Sequence, residues 1–179
     1  MSIRTSQQPE GGLDLIRRAV ADLPTHVFRE ARQRLMAAPP LRVYQSALGD
    51  LNDRGSMERA VPVAWRYLIV TDERHPSAVV TMDLRNDRGK WYVGAIQRGP
   101  MAHLLAEAAQ VAEVTVGNTD DEYEARILEI PALYRAALWL HGPSDFYIPL
   151  ERNDRNSLGV DSYYLSHVKE AASTGEPAE

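Results

Sequence analysis

The sequence predicts a single α+β domain: a mainly antiparallel sheet, helices packed on one face of it, and two helices at the N-terminal end. Three observations carry this prediction. Leu13, Ile16, Val20 and Leu23 recur near the helical period. Ala78 to Arg85 (AVVTMDLR) and Lys90 to Gln97 (KWYVGAIQ) alternate on either side of the turn sequence NDRG, as the arms of a hairpin do. The chain of 179 residues, 44% hydrophobic and 25% charged, is long enough and apolar enough to bury one core.

Residues 1–12 are polar and read as a tail, so the body is expected over 13–172, with 173–179 as a second, acidic tail. Pro24 closes the first helix, and Thr25 is a suitable N-cap for a second in which Val27, Phe28, Ala31 and Leu35 share a face. Pro39 and Pro40 end that helix. Strands follow at Leu41 to Leu48, at the β-branched and aromatic run Val61 to Thr71, and in the hairpin. Pro100 then suits the first turn of a helix carrying Met101, Leu104, Leu105, Ala108 and Val111 on one side. Tyr123 to Ile130 alternates as a strand. Ala132 to His141 has helical composition, but GPSD and FYIPL after it look like a turn and a return strand, which favours a strand here too. A final helix is expected over Asp161 to Ala172.

Composition excludes several classes. There is no cysteine, hence no disulfide, thiolate nucleophile or Cys-ligated metal. The net charge of −5, concentrated after residue 114 where five basic residues face twelve acidic ones, argues against a nucleic-acid partner. No apolar run approaches the ~20 residues of a membrane span, and MSIRTSQQPEGG has no apolar signal core, so a cytoplasmic protein without a membrane partner is expected.

Motifs for chemistry are sparse. Neither a P-loop nor a GxGxxG sequence is present, and no GxSxG elbow marks a serine nucleophile. His26, His75, His103, His141 and His167 lie far apart without metal-ligand spacing, and Asp120, Asp121, Glu122 and Glu124 lack the alternating order of a calcium loop. No metal, cofactor or catalytic set is therefore expected. Five candidate residues remain. Arg98 precedes a helix start at Gly99-Pro100, a place where an anion can be held. His141 shares a strand face with Trp139 and lies four residues before Asp145, which can orient its ring. Tyr147, on the return strand, adds an aromatic with a polar tip.

Two functions follow as expectations. The first is a non-enzymatic binding or assembly protein that meets a protein partner, or another copy of itself, through an aromatic sheet face or a strand edge. The alternative is a small-molecule-binding or hydrolytic domain whose sheet encloses a cavity, with His141, Asp145 or Arg98 as polar handles. A flat exposed aromatic patch favours the first, and a deep pocket the second.

Overall fold

Alternation along one long strand sorts the molecule into two sides. The computed structural model describes residues 2–22, 35–47, 59–71, 78–116 and 121–150. These residues form β1 (Ser2–Thr5), α1 (Gly12–Ala21), β2 (Leu35–Ala37), β3 (Leu41–Gln45), β4 (Val61–Thr71), β5 (Ala78–Asp87), β6 (Lys90–Arg98), α2 (Pro100–Val116), β7 (Glu122–Ile130), β8 (Arg135–His141) and β9 (Phe146–Pro149). On β4, Trp65, Tyr67 and Ile69 point to one face and pack with Ile16 of α1 and Met82 and Leu84 of β5. Ala64 points to the other and packs with Leu105, Ala108 and Ala112 of α2 and Ile127 and Leu138 of the sheet.

The expected layer with helices on one face is thereby corrected, because α1 and α2 cover opposite faces. The described residues are dominated by a nine-stranded mixed sheet, not by helices set on an antiparallel one. Its main path runs β6-β5-β4-β3-β7-β8-β9, and β7 is parallel to both β1 and β3. Residues 2–5, expected in a tail, are the strand β1. Of the two N-terminal helices the first is α1; the second, from Thr25, lies outside the described residues, as do the helix over Asp161 to Ala172 and the acidic tail. Leu35, expected within the second helix, opens β2 instead.

The hairpin forms as its turn chemistry requires. Asp87 pairs with Lys90, leaving Arg88 and Gly89 as a two-residue loop with φ of 49° and 84°. Two successive positive φ values match the twist of antiparallel strands, and the Asn86 side chain accepts the Gly89 N–H at 3.0 Å. The ambiguous segment resolves into a 3-10 turn, Pro131–Leu133, followed by strand β8. No helix among the described residues is long and apolar enough to cross a membrane.

Between β4 and β7 the sheet forks. At one end β3 is paired on both sides, to β4 and to β7. Beyond Leu41 the flanking strands continue with separate partners, β2 on Ile69 to Thr71 of β4 and β1 on Glu122 to Ala125 of β7. Among the described residues β1 and β2 do not pair with each other. Pro39 and Pro40, at the bend from β2 into β3, have no N–H to donate to a ladder. Ala38 gives its N–H to Leu68 at 2.8 Å and ties that bend to β4 alone.

Candidate functional site

The turn from β8 to β9 gathers four of the five residues expected in a site. Trp139 sits opposite Tyr147 in the β8–β9 ladder, with the rings stacked at 5.9 Å, and His141 meets Trp139 edge-on at 5.1 Å. His141 Nδ1 lies 2.8 Å from Asp145 Oδ1. The same carboxylate accepts the Gly142 N–H and the Tyr147 hydroxyl, each at 3.3 Å. Asp145 therefore fastens the turn as much as it orients the histidine. With Nδ1 donating, the neutral ring keeps Nε2 as its acceptor on a side chain 44% exposed. Arg98 is elsewhere, at the end of the edge strand β6 opposite Val80, and does not join this group.

Most of the aromatic residues expected at a surface are buried, whereas Tyr92 and Tyr134 are exposed. Trp65, Tyr67, Tyr123, Trp139 and Tyr147 are all core residues. Where Trp139 and the half-buried Tyr44 present ring faces, the Arg126 guanidinium occupies them, at 5.0 and 4.9 Å from the centroids. Glu124 Oε2 holds Arg126 in place, 2.9 Å from its Nε. Tyr44, Trp139 and Tyr147 are packing partners of one another and of arginine.

On the opposite face, under α2, the sequence reading missed a polar cluster and a cavity. Arg66 and Asp83 are each only 3% exposed. The arginine also reaches Glu129 Oε1 from Nη2 at 2.8 Å, and Gln45 donates to the other oxygen of Glu129 at 3.1 Å. Burial pulls the Arg66 pKa down, but its hydrogen bonds and charge interactions with Asp83 and Glu129 outweigh that pull, so the group is held even more firmly protonated than usual. Nη1 is buried and has no hydrogen-bond partner among the described residues.

Arg66 forms part of the wall of a cavity of about 480 Å³. Leu105 and Ala112 of α2 form one side and Ala125, Leu138 and Leu140 of the sheet the other. Thr5, Pro39 and Glu113, all exposed, mark its rim, and this rim lies where β1 and β2 diverge. The fork thus opens a space that continuous pairing would have closed. Among the described residues its charged lining is Arg66 and Glu113. Such a volume falls in the range of small-molecule pockets, ~300 to 1,000 Å³.

The signal for this site was present in the sequence. Arg66 interrupts the apolar run VPVAWRYLIV and Asp83 interrupts AVVTMDLR, and opposite charges inside neighbouring strands call for each other because neither is buried alone. Among the described residues no group of three His, Asp or Glu side chains is arranged to hold a metal ion. Comparison with known proteins returns no match: no family model, no curated protein and no solved structure is similar to the chain.

Proposed function

We propose that this protein binds a small, mainly apolar molecule in the cavity between α2 and the forked sheet. The observation that carries the reading is the cavity itself, about 480 Å³ between α2 and the forked sheet, with Leu41, Leu68, Leu105, Leu138 and Leu140 among its lining residues. The reading is of binding and not catalysis, because a guanidinium so firmly protonated neither takes nor gives a proton at neutral pH. His141 and Asp145 lie on the other side of the sheet and play no part in it. A cytoplasmic location belongs to the same proposal, and fractionation of cells expressing the chain checks it.

Titration with the neutral fluorophore N-phenylnaphthylamine tests the reading. Saturable one-site uptake is expected, lost in Ala112→Leu, which fills the cavity, and in Ala109→Trp, which covers its rim. No uptake by the native protein, or undiminished uptake by both folded variants, overturns it.

A second reading has one observation in its favour. Among the described residues β6 pairs on one side only, with β5, and carries Tyr92 and Ile96 at 47% and 46% exposure. An open edge with apolar side chains is a template for a protein partner or a second copy. Light scattering at micromolar concentration checks it. A dimer lost on Ile96→Lys supports self-association, and a 20.0 kDa monomer leaves only a foreign partner.

A further inference from the structure

We infer that a phosphate group binds on the face of the sheet away from α2, held by Arg42 of β3 with Arg126 of β7 beside it. This site is separate from the cavity and does not depend on it. One row across the sheet runs Trp65, Arg42, Arg126, Trp139, Tyr147, each residue opposite the next in its ladder. Residues opposite one another in neighbouring strands share a face, so two arginines stand side by side between two tryptophans. Ring faces hold both guanidiniums. That of Arg42 lies 5.5 Å from the Trp65 centroid and 5.8 Å from that of Tyr44, and that of Arg126 lies over Tyr44 and Trp139.

Like charges directly opposite in a ladder repel. Glu124 relieves only one of the two: its Oε2 accepts from Nε of Arg126 at 2.9 Å and from Nη2 as well, and Ser6 donates to its Oε1. Arg42 has ring contacts but no carboxylate partner among the described residues, so the pair keeps one positive charge in excess. That charge is within reach of solvent. The unpaired polar side-chain atoms that are buried among the described residues are Arg66 Nη1, Thr81 Oγ1 and Trp139 Nε1, so the free nitrogens of the half-buried Arg42 and Nη1 of Arg126 are accessible. An oxyanion answers both the charge and the donors, because the planar fork of a guanidinium meets two oxygens at once. The fork of Arg42 uses both oxygens of a carboxylate, whereas a phosphate has a further oxygen to offer Arg126. Ring contacts already hold the two side chains, which lowers the entropy lost on binding.

Titration with inorganic phosphate at neutral pH and low salt, read from the arginine Nε–H signals in NMR spectra, tests the assignment. The signals of Arg42 and Arg126, identified by their absence in Arg42→Lys and Arg126→Lys, are expected to shift together and to saturate, while that of Arg17 on α1 stays in place. Acetate is expected to bind at least about tenfold more weakly than phosphate, and Arg42→Gln to weaken phosphate by a similar factor. Glu124→Gln removes the carboxylate that competes for Arg126 and is expected to tighten phosphate severalfold, a gain that a merely loosened fold does not produce. Methyl phosphate is titrated alongside, and the tighter of the two identifies the source, an ester or the free ion. No saturable shift, equal binding of acetate, undiminished binding in Arg42→Gln, or binding that is not tightened in Glu124→Gln overturns the inference. Loss of binding in Arg98→Gln alone overturns it too, and moves the anion to the start of α2.

Discussion

Arg66 and Asp83 face each other directly across the β4–β5 ladder and are joined at two points, Nε to Oδ1 at 2.7 Å and Nη2 to Oδ2 at 2.8 Å. The two-point geometry uses the planar fork that lysine lacks. Because both groups are buried, the pair's worth lies less in net stability than in the penalty for breaking it. Removing one partner strands the other charge.

Arg66→Met is therefore expected to cost about 3–5 kcal/mol, since Asp83 is left in an apolar interior. Arg66→Met combined with Asp83→Leu is expected to recover most of that loss. Urea unfolding of the three proteins measures it, and a double variant no more stable than Arg66→Met would show that the charges are not coupled as described.

The space under α2 gives a second outcome. Leu105→Ala enlarges a cavity already present and is expected to cost about 2–5 kcal/mol. Ala112→Leu places new methylenes into that space and is expected to leave the melting temperature unchanged or to raise it, by up to about 1 kcal/mol in stability. A loss of more than about 2 kcal/mol in Ala112→Leu would mean that the space beside it is closed.

Tyr67 predicts an alkaline limb. Burial raises the pKa of its hydroxyl above the ordinary 10.0. Below that pH both folded and unfolded chains keep the proton and the group contributes no slope. Above it the unfolded chain releases its proton first, so stability falls as pH rises from about 10 towards the folded-state value. Tyr67→Phe is expected to flatten this part of the stability profile measured from pH 9 to 12. An unchanged slope would place the alkaline loss in other groups.

At the β8–β9 turn, Gly142 has no room for a side chain. A Cβ there would lie 2.5 Å from Tyr123 Cδ1 and 3.0 Å from the Glu122 carbonyl oxygen, and Tyr123 is buried and cannot swing aside. Gly142→Ala is expected to cost about 1–3 kcal/mol, read as a lower urea midpoint with unchanged slope. His141→Ala, on a half-exposed ring beside the same turn, is expected to cost under about 1 kcal/mol. A larger effect at His141 than at Gly142 would reverse the ranking of packing over the imidazole–carboxylate contact.

Much of this molecule is written locally. The helical spacing from Leu13 to Val20, Pro100 at the head of α2, and the turn at Arg88 and Gly89 each depend on residues within a few positions of one another, and each forms where the sequence places it. His141 and Asp145 also meet as the sequence implies, because a four-residue separation across a tight turn leaves them little freedom to part. Alternation further decided which residues of β4 share a face.

Alternation does not say which face receives which helix, nor which strand lies alongside and in what direction. The parallel pairing of β7 with β1 and β3 joins segments more than eighty residues apart, such as Arg42 opposite Arg126, and no local pattern encodes it. The same long-range assembly took Trp65, Tyr67, Tyr123, Trp139 and Tyr147 into the core, separated Arg98 from His141, and set Arg66 against both Asp83 and Glu129. It also produced the fork, since Pro39 and Pro40 announce a break in a strand but the cavity exists only because β1 arrives on β7 at that same level without reaching β2. Local sequence set the dihedrals and the inward-facing residues, whereas the pocket arises from strand order, which is fixed by the burial of all the strands together.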